Sequence, residues 1–243
     1  MGPVGPGKIL LRGEMGIEAV LIDVGGPILD EDHEYAAWDR FLVGLLRQDG
    51  VDIDEERLVR LIVAATRRCE RSPRIAVLWE LLRPDVSRFR RIKDIFQGFQ
   101  RRHLAEEYTP RLQPGVVEAL TRLSEGFLLA LAGNQPTWIK GYLEEEGIIR
   151  FFRWRLVSEE MGISKPNPLF FRMILDGFGV SPNDAVMVGD RLDNDVLPAH
   201  LVGMRTVRVL TGPYREQEPI SPLHHPDKTI RSLAELGRAL EGL

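Results

Sequence analysis

The spacing of apolar residues along the chain divides it into segments of different secondary structure. Residues 19–22 form a continuous apolar run, which is typical of a strand buried on both faces of a parallel sheet. Between about residues 31 and 108, apolar residues recur every three or four positions, as they do on one face of an amphipathic helix. Four such stripes follow one another, at residues 38–46, 58–65, 75–82 and 89–99. The pattern predicts one strand followed by four helices.

Beyond residue 110 the pattern alternates between strand-like and helix-like stretches. Short apolar runs predict strands at residues 127–132, 154–157, 185–188 and 206–209. Helical spacing predicts helices at residues 136–146, 168–177 and 193–201, and a last helix from about residue 232. Strands that alternate with helices indicate parallel winding. We therefore expect an α/β fold in which an all-helical segment is inserted into a doubly wound parallel sheet.

The same boundaries predict a domain organisation. Residues 1–13 are rich in glycine and proline and indicate a flexible N-terminal tail. Residues 14–30 and 109–243 are expected to form the α/β core, and residues 31–108 a helical cap domain.

Composition narrows the classes of function. The 243 residues are 44% hydrophobic and 28% charged, which is ordinary for a globular protein, and the formal net charge of -4 gives no general reason to expect nucleic-acid binding. No apolar run reaches the roughly 18 residues that a membrane helix needs, and the start of the chain lacks the layout of a signal peptide. The single cysteine, Cys69, cannot form an internal disulfide. We expect a cytoplasmic protein that acts on a small molecule.

Four short polar motifs follow predicted strands. They are Asp23-Val-Gly-Gly-Pro-Ile28, Ala132-Gly-Asn-Gln135, Ser164-Lys-Pro166 and Gly189-Asp-Arg-Leu-Asp-Asn-Asp195. Parallel strands present their carboxyl ends at one edge of the sheet, so the motifs should gather Asp23, Asp190, Asp195 and Lys165 in one cleft. Like charges at this distance repel unless a hard cation and an anionic substrate share the cleft. Three carboxylates with one lysine therefore predict Mg²⁺ and a phosphate group.

The order and separation of these motifs resemble the four motifs of the haloacid dehalogenase (HAD) superfamily, over residues of about 17–234. The resemblance implies a Rossmann-like core with a C1-type helical cap. It also implies a phosphatase, a hydrolase of the EC 3.1.3 type that acts on a small phosphorylated metabolite. Asp23 would attack phosphorus to give an aspartyl-phosphate that water then hydrolyses. Lys165 would offset the charges of the nucleophile and the phosphate.

The resemblance also assigns the metal and substrate positions. Mg²⁺ would be held by Asp23, by the backbone carbonyl of Gly25 and by Asp190, with Asp195 behind Asp190 as a support. The positions expected to bind substrate are Gly26, Gly133, Asn134 and Lys165.

Two positions depart from the pattern of such phosphatases. The residue two after the nucleophile is usually an aspartate that protonates the leaving group and later activates water, but here it is Gly25. General acid/base catalysis typically contributes ~10²–10⁴ in rate. Gly133 replaces the usual serine or threonine that binds a phosphoryl oxygen, although backbone N–H groups there could still donate. A substitute acid could come from one of the four residues after the nucleophile loop, namely Asp30, Glu31, Asp32 and His33. We favour His33, which titrates nearest neutrality.

Other functions of the same superfamily were compared with these residues. A haloacid dehalogenase proper uses no metal and has a bulky residue two after the nucleophile, and both Gly25 and the Gly189-Asp190 pair argue against it. A phosphonatase needs a Schiff-base lysine in the cap, where Lys93 lies on the last predicted helix, an unsuitable place. The remaining alternative is a non-catalytic HAD-fold protein that binds a phosphorylated ligand or a partner, as the two glycines would permit.

Overall fold

A five-stranded parallel sheet forms the centre of the computed structural model, which describes residues 16–243. The strands are β1 (Ala19–Ile22), β2 (Leu128–Leu131), β3 (Ala185–Gly189), β4 (Arg205–Val209) and β5 (Lys228–Ile230). Their order in the sheet is β2-β1-β3-β4-β5, and every neighbouring pair is parallel. The predicted α/β fold class is confirmed. The predicted tail, residues 1–13, lies outside the described residues.

Four helices follow β1 along the chain, as the hydrophobic stripes predict. They are α1 (Asp32–Gln48), α2 (Glu55–Arg67), α3 (Pro73–Leu82) and α4 (Val86–Glu106). Their apolar faces meet in a hydrophobic cluster of their own, in which Leu46, Leu58, Leu78 and Phe96 are almost fully buried. The cap boundaries at residues 31 and 108 stay a prediction.

The remaining helices cover the two faces of the sheet. They are α5 (Val116–Ser124), α6 (Ile139–Glu145), α7 (Ser158–Met161), α8 (Pro168–Phe178), α9 (Leu197–Val202) and α10 (Leu236–Leu240). Successive side chains of a strand point to opposite faces, so Val20 and Ile22 of β1 join one hydrophobic cluster with α5, α6 and α10. Ala19 and Leu21 join another cluster with α8 and α9. Burial on both faces explains the continuous apolar run of β1.

Several segments differ from the sequence-based expectation, and one of them is α5, which was not predicted. The strand predicted at residues 154–157 is wrong, because only Trp154 forms a bridge, with Ala130 of β2. The next two residues are exposed, and buried Val157 then caps the start of α7, so the chain leaves the sheet edge. The helix predicted at residues 193–201 is a π-helical turn over Leu192–Val196 that continues into α9. The short edge strand β5 was not predicted, since its three residues include two exposed polar ones.

The register of the sheet positions the candidate site. Ile22 at the end of β1 is level with Leu131 of β2 and Val188 of β3. The residues that follow these three strands therefore meet at one edge, where a doubly wound sheet binds its ligands. Within residues 16–243, no helix is both long enough and apolar enough to cross a lipid bilayer.

Candidate active site

Asp23 directly follows β1 and is buried at the edge of the sheet. Its Oδ1 accepts a hydrogen bond from the backbone N–H of Val24 at 2.7 Å and lies 2.9 Å from Nζ of Lys165. Burial raises the pKa of the Asp23 carboxyl, and the Lys165 ammonium opposes that rise. Both of these contacts are to Oδ1. The second oxygen, Oδ2, has no hydrogen-bond donor among the described residues.

Lys165 lies beneath Asp23 with almost no exposed surface. Besides Asp23, its ammonium contacts Oδ1 of Asp195 at 2.6 Å. Burial works against the charged ammonium, but the two carboxylates outweigh it and raise the Lys165 pKa. The Asn134 side chain holds the lysine backbone from both sides, accepting from its N–H and donating to its carbonyl, each at 2.9 Å. Asn134 therefore positions Lys165, and its predicted role in binding substrate stays a prediction.

A third carboxylate completes the cluster. Ligand oxygens of Asp23, Asp190 and Asp195 all lie within 4.8 Å of one another. Lys165 pairs with Asp23 and Asp195. Oδ2 of Asp195 also accepts a hydrogen bond from the backbone N–H of Arg191 at 3.0 Å. No side-chain hydrogen bond or ion pair is found for Asp190 within residues 16–243. Burial and the charges of Asp23 and Asp195 raise the Asp190 pKa well above its usual range.

This donor set fits Mg²⁺. Carboxylate oxygens are the ligands that this hard cation prefers, and a divalent charge between Asp23 and Asp190 would relieve the repulsion that Lys165 leaves uncompensated. Asp195 has both oxygens engaged by protein donors, so it is suited to supporting the cluster from behind.

At two of the predicted substrate-binding positions, neighbouring side chains leave no room for a Cβ, so the residue is glycine. Gly26 has a φ of +84°, and a Cβ there would lie 2.8 Å from Cγ of Asp190. A Cβ on Gly133 would lie 2.7 Å from Cγ2 of Val24. The space that a serine or threonine would use at position 133 is thus filled by the side chain of Val24, which follows Asp23.

A cavity of about 140 Å³ opens above Asp23. Its lining is Asp23, Gly25, Glu31, Tyr35, Asn134, Gln135, Asp190, Arg191, Asn194 and Tyr214. Of the residues singled out from the sequence, Asp23, Gly25, Asn134 and Asp190 line it. Lys165 and Asp195 lie buried beneath these side chains, and Gly26 and Gly133 do not line the cavity.

Five lining residues were missed by sequence reasoning, namely Tyr35, Gln135, Arg191, Asn194 and Tyr214. The Arg191 guanidinium lies 4.0 Å from the centre of the Tyr214 ring and pairs with Asp193 at 2.6 Å. Tyr35 packs edge-on against Tyr214, and both also line a second cavity of about 150 Å³ between α1, α3 and α4. Arg191 belongs to the fourth motif and could have been found there. No sequence signal marks the two tyrosines.

The expected substitute acid is also placed differently. His33 lies in another cavity, with Nε2 3.2 Å from the carbonyl oxygen of Thr109 and its ring stacked on Tyr108. The structure therefore does not bring the favoured candidate to the cleft. Glu31 lines the cleft instead, and burial together with the charge of Asp23 raises the pKa of its carboxyl to about 8.

Comparison with known proteins identifies related sequences for part of the chain. A family model described as HAD-hydrolase-like matches residues 162–236. The glyceraldehyde 3-phosphate phosphatase of Methanopyrus kandleri is 42% identical over 129 residues, which are 51% of this chain and 54% of that protein. The phosphoserine phosphatase of Thermus thermophilus is 35% identical over 147 residues, 60% of this chain and 56% of that protein. The alignments thus span about half the length of these curated relatives.

Solved structures share the fold over nearly the whole chain. A HAD-like protein of unknown function from Agrobacterium tumefaciens superposes with a TM-score of 0.65 and 17% identity, covering 93% of this chain and 99% of that one. The HAD-hydrolase YfnB of Bacillus subtilis, solved with bound magnesium, has a TM-score of 0.62 and 22% identity with the same coverage. The family model, the similar sequences and the shared fold thus all point to HAD-like hydrolases as the proteins that this chain resembles.

Proposed function

We propose that this protein is a Mg²⁺-dependent phosphatase that hydrolyses a small phosphorylated metabolite through an aspartyl-phosphate on Asp23. One observation carries the proposal. The buried carboxylate of Asp23 lies at the floor of an open cavity, 2.9 Å from a buried ammonium and beside a second carboxylate, Asp190, and neither Oδ2 of Asp23 nor the Asp190 carboxylate has a partner within residues 16–243. This combination offers a nucleophile, a countercharge for phosphate and ligands for a divalent cation.

The roles of the side chains follow from their contacts. Val24 N–H and Lys165 both hold Oδ1 of Asp23, which orients Oδ2 as the attacking oxygen. Asn134 fixes the backbone of Lys165, and Asp195 fixes its ammonium, so the positive charge stays in place as negative charge builds on the phosphoryl oxygens. A Mg²⁺ ion held by Asp23, the Gly25 carbonyl and Asp190 would supply further charge stabilisation when bound.

The size of the cavity and the names of the relatives support a small substrate. About 140 Å³ above Asp23 leaves room for a phosphoryl group and a short organic portion. The similar sequences are named as phosphatases of glyceraldehyde 3-phosphate, phosphoserine and phosphoglycolate. All three names denote small phosphate esters.

Hydrolysis of 4-nitrophenyl phosphate tests the proposal, because its good leaving group needs little protonation. We expect turnover that requires Mg²⁺ and is abolished in Asp23→Asn. Acid quenching followed by mass spectrometry should locate a phosphoryl group on Asp23 during turnover. Asp176→Asn, an exposed carboxylate of α8, is the matched control and should keep full activity.

Metal-independent activity, or activity that persists in Asp23→Asn, would contradict the proposed phosphatase mechanism. Absence of turnover combined with Mg²⁺-dependent binding of inorganic phosphate, measured by calorimetry, would instead favour the non-catalytic ligand-binding alternative.

A further inference from the structure

The space next to Gly25 is filled by another side chain. A Cβ built on Gly25 would lie 2.6 Å from Oε2 of Glu31 and 3.0 Å from both its Cδ and its Oε1. No side chain at position 25 could therefore coexist with Glu31 in its present place. The Glu31 carboxyl occupies the volume where an aspartate two residues after the nucleophile would begin.

From this relationship we propose that Glu31 is the proton donor and acceptor of the reaction, taking over from outside the nucleophile loop the task that Gly25 cannot perform. This inference rests on the proposed phosphatase function and adds a catalytic residue to it.

The position of Glu31 and its lack of protein partners among the described residues favour it over its neighbours. It is the residue that precedes α1, and it lines the same cavity as Asp23 and Asp190. Its carboxyl makes no hydrogen bond or ion pair with any residue in the described range 16–243, so both oxygens are available to a ligand.

The three neighbouring candidates are engaged elsewhere. Oδ1 of Asp30 accepts from the backbone N–H of Asp32 at 3.0 Å, and Oδ2 of Asp32 pairs with exposed Arg215 at 3.3 Å. His33 faces Thr109 in a different cavity. Among these four residues, the cavity lining above the nucleophile includes Glu31 alone.

The Glu31 carboxyl alone can supply and take back the one proton that the reaction needs. As Oδ2 of Asp23 forms its bond to phosphorus, the bond from phosphorus to the leaving oxygen breaks and the Glu31 carboxyl gives that oxygen its proton, releasing an alcohol. The resulting Glu31 carboxylate then takes a proton from the water that attacks the aspartyl-phosphate. Inorganic phosphate leaves, and both the Asp23 carboxylate and the protonated Glu31 are restored.

The dependence of the rate on the leaving group tests this role. Glu31→Gln keeps the size of the side chain but cannot donate a carboxyl proton. We expect its kcat/KM to fall by ~10²–10³ on glycerol 2-phosphate, whose alkoxide leaving group needs a proton, and by less than about tenfold on 4-nitrophenyl phosphate. Glu145→Gln, an exposed glutamate of α6, is the matched control and should match the wild type on both substrates.

A second variant moves the carboxyl instead of removing it. Glu31→Ala clears the space beside Gly25, and adding Gly25→Asp places a carboxyl at the usual position. The double variant Gly25→Asp/Glu31→Ala should recover at least tenfold over Glu31→Ala on glycerol 2-phosphate. Mg²⁺ affinity measured by calorimetry should stay within a few-fold of the wild type in Glu31→Gln, which separates proton transfer from metal binding.

The possible results separate failure of the Glu31 role from failure of the proposed phosphatase function. Equal losses on both substrates, weakened Mg²⁺ binding or failure of the double variant to recover would overturn the role of Glu31. If the wild type is an active Mg²⁺-dependent phosphatase and Glu31→Gln is unimpaired, only this inference fails. A wild type without Mg²⁺-dependent turnover would overturn the proposed function and this inference together.

Discussion

The side chain of Asp195 lies directly over the α-carbon of Gly189, so closely that a Cβ on Gly189 would overlap the Asp195 carboxylate. Asp195 is fully buried and contacts Nζ of Lys165 at 2.6 Å. The π-helical turn at Leu192–Val196 brings its carboxylate to this position, and such wide turns often occur at functional sites. The first residue of the fourth motif is thus a glycine because the last residue needs the space.

Gly189→Ala should therefore displace Asp195 and, with it, Lys165. We expect the free energy of unfolding to fall by ~1–3 kcal/mol, as for other overpacked sites. Mg²⁺-dependent turnover should fall by ~10², because displacements of about 1 Å near a catalytic group have effects of this size. Gly141→Ala in α6 is the matched control, since a Cβ there meets nothing within 4 Å. Urea unfolding measures the stability, and hydrolysis of 4-nitrophenyl phosphate measures the turnover. If Gly189→Ala has the stability and turnover of the wild type, Asp195 does not need the space that Gly189 leaves.

The sequence predicted those features that arise from repeated patterns. Burial on both faces explains why the apolar run of β1 was recognisable, and each amphipathic stripe marked one of the helices α1 to α4. Parallel winding also predicted that Asp23 and Asp190 would meet, because the ends of parallel strands share an edge.

Features that depend on side-chain direction could not be predicted in this way. Glu31 and His33 are two residues apart at the start of α1, yet one faces the cleft and the other faces Thr109. The type of side chain favours His33, but its position in a different cavity excludes it. Tyr214 reaches the cavity from a segment with no motif, and only the packing of Arg191 against its ring reveals its place.

The buried ion pair between Arg74 and Asp39 should dominate the electrostatic contribution to the stability of the four-helix cluster. Nε and Nη2 of Arg74 contact the two carboxylate oxygens of Asp39 at 2.6 and 2.8 Å, and both residues are buried. Removing one partner of a buried pair leaves an uncompensated charge, which typically costs ~3–5 kcal/mol. We expect Arg74→Met to lower the free energy of unfolding by this amount in urea titrations.

An exposed pair in the neighbouring helix provides the control. Arg60 pairs with Glu56 one turn away on α2, and both side chains are largely exposed. Arg60→Met should cost no more than ~0.5 kcal/mol. Arg74→Met/Asp39→Leu should recover much of the loss, because neither partner then leaves a buried charge. Equal effects of Arg74→Met and Arg60→Met would contradict this assignment.

The single thiol should react slowly at neutral pH. Burial and the charge of Asp193 raise the pKa of Cys69 to about 11, and its Sγ lies 3.3 Å from the carbonyl oxygen of Glu218. Only the thiolate is nucleophilic, and an ordinary cysteine has a pKa of about 8.5. At pH 8 we therefore expect alkylation by iodoacetamide to be ~10²-fold slower than in a cysteine peptide. The rate should increase with pH until about 11.

Alkylation followed by mass spectrometry measures this rate without ambiguity, because Cys69 is the only cysteine. The protein unfolded in urea is the internal control and should react like the peptide. Peptide-like reactivity of the folded protein at pH 8 would show that the thiol is not shielded.

Val24 and Gly133 should behave as a coupled pair. A Cβ on Gly133 would lie 2.7 Å from Cγ2 and 2.9 Å from Cβ of Val24, so Gly133→Ser alone should be destabilised by ~1–3 kcal/mol. Val24→Ala removes the nearer carbon, and a small backbone shift can relieve the other contact. In a double-mutant cycle, Val24→Ala/Gly133→Ser should be more stable than the sum of the single variants by ~0.5–3 kcal/mol.

The same pair tests whether Val24 keeps a phosphate-binding hydroxyl out of position 133. If the space filled by Val24 is what excludes a serine, the double variant should present its hydroxyl to the phosphoryl group. Its KM for 4-nitrophenyl phosphate should then be ~10–100-fold below that of Val24→Ala, since a hydrogen bond to a charged group contributes ~1.5–3 kcal/mol. Additive stability effects in the cycle would show that the two side chains do not compete. An unchanged KM would show that the hydroxyl does not reach the phosphate.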